Sequence, residues 1–380
     1  VGGILAGTLL TLHLGLFSIA PWTLAIYPGI LSMRGVIGGL VCARLSTGLH
    51  IGTVRASFTK NTRNFYLLWH AIITLALVSS AMMWLVASLF GTFFWGITAL
   101  DSMAILGIVT ATMALSLVFI SPITVAVSVV SFRRGLDPDI IVYPVMSTIA
   151  DILVTVCYIL VLNVFFSLSY SGHYLIWLVN IVFLCFVLYI LFKSAREDEF
   201  VKTIKESLLT LAIVTFIVNV TGSVLARVSE IVGSRPEIYV VYPALIDTMG
   251  DVGSIVGSTA TTKLALGIFK PSFASIKQHL TEIMGTWTAS FIMFTLYSVI
   301  LYLTKWMFTL NELLRFAALL YVTNILAASS MVIIAYTVAI LTYQRGLDPD
   351  NFVIPIESSL ADTITTISIL ISLNVIALAV

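Results

Sequence analysis

The chain has 380 residues, 59% of them hydrophobic and 10% charged, with a mean hydropathy of +1.09. That composition excludes a water-soluble globular domain, and long apolar runs without polar alternation exclude an outer-membrane β-barrel. A formal net charge of +1 offers nothing to nucleic acid, and Cys42, Cys157 and Cys185 fall in apolar runs, where they read as packing residues and not as a disulfide frame.

Apolar runs of about 20 residues cross a bilayer as helices. The sequence predicts an all-α polytopic membrane protein with about eleven spans, near 1–26, 28–54, 65–90, 98–132, 140–166, 173–194, 203–232, 242–268, 283–306, 311–343 and 351–380. Val1-Gly2-Gly3-Ile4 reads as helix interior with no basic segment before it, so no signal peptide is expected. The fourth and tenth spans are long enough to be tilted, extended or broken, and Pro122 interrupts the fourth.

The chain repeats itself. Residues 134–164 and 345–375 share 15 identical positions over 31 without a gap, from Arg134-Gly135-Leu136-Asp137-Pro138-Asp139 to Leu162-Asn163-Val164. A weaker match pairs Tyr27-Pro28, Gly35 and Gly38 with Tyr242-Pro243, Gly250 and Gly253, and Asp101 with Glu312. Spans 1–5 therefore pair with spans 7–11, and the sixth has no counterpart. The division is 1–168 for the first repeat, 169–201 for a linker helix and cytoplasmic loop, and 202–380 for the second repeat. Five spans would invert a directly joined second copy. The extra crossing restores direction, so the halves are expected to be parallel, related by a pseudo-two-fold along the membrane normal.

Loop charge agrees. Arg55, Lys60, Arg63, Arg133, Arg134, Lys193, Arg196, Lys202, Lys205, Lys263, Lys270, Lys277 and Arg345 fall on one side. Arg227, Arg235, Lys305 and Arg315 fall on the other. The positive-inside rule places the first set in the cytoplasm. Span 1 then starts inside and the C-terminus ends outside a multi-pass protein of the cell membrane. Trp22, Trp69, Trp95, Trp287 and Trp306 lie near span ends, as interfacial anchors or as lipid-packing residues.

Asp137-Pro138-Asp139 and Asp348-Pro349-Asp350 suit helix N-termini, as cap, first position and dipole partner. A cytoplasmic exit for a cation is the alternative use of the same acids. Asp151 and Asp362 differ. Each lies about a dozen residues into its helix, roughly 18 Å deep at 1.5 Å per residue, near the bilayer midplane. An ionisable side chain there is a functional candidate; a structural hydrogen bond or a protonated acid is the plain alternative. Ser147 and Ser358 lie one turn earlier on the same face, and Pro144 and Pro355 free a carbonyl nearby. Such hard oxygen ligands suit Mg2+, Ca2+ or Mn2+. Span 8 adds Asp247 and Asp251, on one face, where span 2 has Ser32 and Val36. Arg34 stands where the second copy has Met249, and Glu357 where the first has Met146. Arg34 is expected to neutralise one of these acids or to pair with Asp101. The glycines of spans 2 and 8 read as close-packing positions, and the five histidines form no ligand pair.

Gly-Leu-Asp-Pro-Asp followed by a proline, a serine and a mid-span aspartate resembles the last transmembrane helix of the MgtE magnesium channels. Two copies in one chain, each with a Tyr-Pro segment opening the second and eighth spans, resemble solute carrier family 41, described as two fused MgtE-type membrane domains. The resemblance implies Mg2+ transport, with Mn2+ or Ca2+ as surrogates, and Na+ as a coupled ion. It carries the pore-lining aspartate over to Asp151 and Asp362. MgtE pairs two subunits, so the fused repeats would be an internal pseudo-dimer and the chain a functional monomer, with membrane lipids and inorganic cations as partners. These residues hold no counterpart of MgtE's cytosolic sensing domains, and spans 2 and 8 lack its Asn-rich pattern. The expectation is a transporter and not an enzyme, its metal site drawn from Asp151, Asp362, Asp247, Asp251, Ser147, Ser358 and Glu357. A secondary transporter of another cation or a small organic cation is the alternative. An intramembrane aspartyl protease is remoter, because Thr248 stands where its Gly-x-Gly-Asp signature needs glycine.

Overall fold

The computed structural model describes residues 2–58, 60–136, 138–232, 236–265, 267–268, 270–304, 309–346 and 353–378. Asp137, Asp348, Asp350, Arg235, Lys305 and Trp306 lie outside the described residues, as do the side chains of Asp139, Pro144, Arg227, Pro355 and Ser358. The described residues form α-helices and no strand. In chain order these are α1 Gly2–Leu12, α2 Leu14–Ile19, α3 Pro21–Ile51, α4 Arg63–Phe90, α5 Ala99–Arg133, α6 Pro138–Ser167 and α7 Ser169–Ser194. They continue with α8 Asp198–Val232, α9 Pro236–Ala265, α10 Leu280–Leu303, α11 Leu310–Gln344 and α12 Val353–Leu378. A π-helical turn, Gly91–Trp95, extends α4, and a 3-10 turn, Phe273–His279, leads into α10. Seven stretches among the described residues are long and apolar enough to cross a bilayer, and Gly2–Leu12, Leu211–Gly222 and Ser359–Val375 are shorter apolar helices. The chain is a polytopic all-α membrane protein.

The first boundary falls elsewhere than the sequence places it. The expected break at Tyr27-Pro28 is absent, and α3 runs through it from Pro21. The break lies at Ala20, whose extended backbone (φ −143°, ψ 106°) is what a residue before proline prefers. Pro21 then opens the helix where its missing N–H is no loss. Pro28 has no N–H for the carbonyl four residues back, that of Leu24, and the Tyr158 hydroxyl of α6 donates to the adjacent carbonyl, that of Thr23, at 2.6 Å. Pro122 likewise lies inside an unbroken α5.

The chain groups into two compact units, Leu12–Asn219 and Val220–Val380, with Gly3–Thr11 belonging to the latter. In the first unit α3 packs on α4, α5 and α6, α5 packs on α4 and α6, and α7 covers α4, α5 and α6. In the second, α9 packs on α10, α11 and α12, and α11 packs on α10 and α12. The four-helix neighbour pattern is therefore the same twice, and α7 stands outside the repeat. α7 presents Tyr174, Leu178, Val182, Leu188 and Phe192 outward, as a helix facing hydrocarbon does. Asn180 ties it to α5, its Nδ2 donating to the Gly107 carbonyl at 3.0 Å.

Helix ends repeat too. Thr98 and Asp101 form a capping box on α5, and Thr309 and Glu312 form one on α11, which accounts for the matched acids at 101 and 312. Both helices stop at a left-handed glycine, Gly135 at φ 71° and Gly346 at φ 70°, a conformation that other residues adopt only with strain. In the second unit α1 lies against α9, and a Cβ on Gly3 or Gly7 would run into the backbone at Ala244 or Val240. Close approach of backbones through small residues is how membrane helices gain packing contact.

Candidate cation site

Each unit carries its mid-helix aspartate on a helix held by the tyrosine of Tyr-Pro. In the first unit the Thr155 hydroxyl donates to the Asp151 carbonyl at 2.6 Å. Its single proton is thereby used, so Tyr27 Oη, 2.8 Å away, donates to Thr155 Oγ1. The second unit repeats the chain of bonds: Thr366 to the Asp362 carbonyl at 2.6 Å, and Tyr242 Oη to Thr366 Oγ1 at 2.8 Å. Tyr27, Thr155, Tyr242 and Thr366 are buried. These bonds join α3 to α6 and α9 to α12, and they set the height at which each aspartate stands. The sequence signal for them was the recurrence of Tyr-Pro and of a threonine four residues after each aspartate, which sequence reasoning matched without assigning a role.

The acids are not equivalent. Asp362 is 5% exposed, whereas Asp151 and Asp247 are half-buried and Asp251 is exposed. Asp247 and Asp251 share a face of α9, one turn apart. Asp247 lies near enough to both Asp251 and Asp362 for their charges to repel. The second unit thus brings Asp247, Asp251 and Asp362 into one electrostatic neighbourhood. Tyr297 of α10 faces the same two acids of α9 and bonds Thr248 Oγ1 at 2.7 Å. Thr363, next to Asp362, is hydrogen-bonded to Thr221 of α8. Ser147 is half-buried, one turn before Asp151 on α6.

Glu357 occupies a different setting. It is 0% exposed, and neither carboxyl oxygen meets a hydrogen-bond partner among the described residues. It packs on Gly253 and Gly257 of α9, where an added Cβ would collide with Glu357 or with Met331 and Val353. The close-packing role expected of the glycines holds there. In the first unit Gly35 and Gly38 face open space, so the seam between α3 and α6 is not an exact copy.

One further expectation resolves differently. Arg34 does not pair with Asp101, whose carboxylate accepts from Thr98 N at 2.9 Å, Thr98 Oγ1 at 2.7 Å and Trp22 Nε1 at 3.2 Å. Capping and the buried indole satisfy Asp101 locally, which also makes Trp22 a core residue and not a surface anchor. Among the histidines, His279 is buried between α9 and α10, with Nδ1 3.3 Å from Lys263 Nζ and Nε2 3.1 Å from Thr259 Oγ1, while Lys263 pairs with Glu282. Sequence spacing carried no sign of this cluster, since its members are brought together by the turn Phe273–His279.

Among the described residues no three His, Cys, Asp or Glu side chains converge as a direct metal cage. The three acids of the second unit are close in charge and apart in contact. That arrangement can attract a cation.

A model of the MgtE family, described as a divalent cation transporter, matches residues 27–161 and 242–372, well over half of the chain and once in each repeat. Neither a curated protein nor a solved structure gives a significant match.

Proposed function

The chain belongs to the MgtE family of divalent cation transporters, and we propose that its cargo is Mg2+, carried past the mid-helix aspartates with most of its water retained. The observation that carries this reading is the duplicated bond series from tyrosine through threonine to the aspartate's own carbonyl. Two copies of a chain that elsewhere differ in most positions keep the same device for presenting one carboxylate.

The chemistry favours a divalent ion. Attraction between an ion and a fixed carboxylate scales with ionic charge, about 4 kcal/mol per unit charge at 4 Å in an effective dielectric of ~20. Mg2+ gives up water reluctantly and keeps several waters in most protein sites. Acids that are near in field and separate in contact suit a hydrated ion. Within the second repeat Asp362, Asp247 and Asp251 are the acids for the ion; within the first, Asp151 takes the matched place, with the Ser147 hydroxyl one turn before it on α6. Exchange against Na+ is the coupling that the family resemblance suggests. The protein works as a single chain in the cell membrane, with its first helix starting in the cytoplasm.

The test is Mg2+ flux into proteoliposomes. The Asp151→Asn, Asp362→Asn double variant is expected to abolish flux while the protein remains folded, and an imposed Na+ gradient is expected to drive Mg2+ against its own. Full flux in the double variant removes these aspartates from the mechanism, and indifference to Na+ removes the coupling alone.

A further inference from the structure

Arg34 is a buried cation without an acceptor. It lies in the apolar stretch Pro21–Cys42 of α3, 4% exposed, and its Nε and Nη1 meet no hydrogen-bond partner among the described residues. A guanidinium deprived of water and of acceptors is unfavourable. Helix packing does not demand it, because the matching residue of α9 is Met249, 0% exposed. An apolar side chain fills that place in the second repeat without penalty.

The direction of the side chain follows from its neighbours. Arg34 acts electrostatically on Cys42 of its own helix and on Cys157 of α6. Cys42 stands about 12 Å further along α3 at 1.5 Å per residue. A guanidinium that acts on it is turned toward it and over Gly38, which lies one turn from Arg34 on the same face. A Cβ placed on Gly38 would meet nothing within 4 Å. The guanidinium, two thiols and a bare glycine thus border one gap in the seam of α3 and α6, inside the first unit.

The second unit shows what the equivalent place takes. Gly253 matches Gly38 and Gly257 matches Cys42. A Cβ on either would run up against the Glu357 side chain, so there a carboxyl of α12 lies against the glycines. The residue of α6 that matches Glu357 is Met146. The first repeat has therefore replaced a carboxyl by a thioether and added a cation beside the gap that results.

We propose that this gap in the first repeat is a binding site for one small inorganic anion, of the size of chloride or bicarbonate. The Arg34 guanidinium supplies the charge and the N–H donors, and the Cys42 and Cys157 thiols supply weak S–H donors. Depth selects for a small anion over a lipid phosphate. Arg34 lies about 20 Å along α3 from Pro21, well inside a hydrocarbon layer about 30 Å thick.

The experiment follows the melting temperature of the whole chain in detergent as sodium chloride or sodium bicarbonate replaces sodium gluconate at fixed ionic strength and pH. The wild type is expected to rise and then level off, as binding to the native state alone dictates. The anion that saturates at the lower concentration is the one the site holds. In gluconate, Arg34→Met is expected to melt at or above wild type, since a buried unpaired charge is gone, and it should lose the anion-dependent rise. Arg34→Lys keeps the charge without the planar fork and should need several-fold more anion. Should Arg34→Met fail to fold, Arg34→Gln removes the charge with a polar side chain. Equilibrium binding of radiolabelled chloride or bicarbonate to wild type should saturate near one per chain, a reading that needs no variant. Indifference of the wild type to both anions, binding well below one per chain, or a full rise retained without Arg34 would each overturn the proposal. A steady rise shared by every variant is a general salt effect and would do the same. None of these readings depends on which cation the protein carries.

Discussion

Tyr242 Oη stands 2.8 Å from Thr366 Oγ1, and the Thr366 hydroxyl donates its own hydrogen bond to the carbonyl of Asp362 at 2.6 Å. The tyrosine belongs to α9 and the threonine to α12, so one side-chain bond sets the height of a carboxylate on a neighbouring helix. Tyr27 and Thr155 do the same for Asp151.

Removing that bond should loosen the helix pair. Tyr242→Phe deletes one buried donor and leaves Thr366 bonded to its carbonyl. Interhelical hydrogen bonds in membranes contribute about 0.6 kcal/mol on average and about 1.7 at most, so the melting temperature in detergent should fall modestly. Flux should fall as well, by less than with Asp362→Asn, since the carboxylate remains but its height is less defined. Tyr27→Phe should act alike through Asp151. Flux identical to wild type in both variants would show that the tyrosines serve packing alone.

A hydrated cargo has its own signature. Cobalt(III) hexammine has the size of hydrated Mg2+ and cannot lose its ligands, so it should compete with Mg2+ for the acids of the second repeat. Asp247→Asn and Asp251→Asn should each weaken that inhibition by a few-fold to about tenfold, as expected for single charges at screened distances. Mg2+ flux that ignores the complex at high excess would favour direct coordination by carboxylates.

Glu357 and Gly257 make a second exchange between repeats, since the matching residues of the first are Met146 and Cys42. A buried carboxyl whose oxygens find no hydrogen-bond partner among the described residues costs stability relative to an apolar side chain of like volume. Glu357→Met should therefore raise the melting temperature. Gly257→Ala should lower it, by about 1–3 kcal/mol of overpacking against Glu357 and Val353. A drop in flux in the more stable Glu357→Met protein would mark the acid as one kept for transport.

The capping boxes give a calibration away from the site. Thr309→Ala should destabilise by about 1 kcal/mol, the usual loss for an N-cap hydroxyl, with flux at saturating Mg2+ unchanged. Thr98→Ala should do more damage, because Asp101 also receives the Trp22 indole. A large loss of flux in Thr309→Ala would mean that the start of α11 takes part in transport.

Much of this protein is readable from residue order, and the reason is physical in each case. Hydrocarbon tolerates only satisfied backbone, so apolar length alone announces helices. Duplication announces itself as identity at a fixed offset, which located Asp151 and Asp362 as matched positions. The first boundary misreads because proline signals both a helix start and a helix interior in membranes. Pro21 plays the first part and Pro28 the second, and only contacts from α6 distinguish them.

Residue order was enough for the class of the molecule and its doubling, because hydropathy and identity are properties of the chain in one dimension. Packing was needed to show which acids share a field, that Asp101 is tied up by Thr98 and Trp22, and that Arg34 and Glu357 are buried with polar atoms unmet among the described residues. Those facts depend on which faces of separate helices meet, and helix packing through small residues is set by shape across the contact, which no spacing along a single segment records.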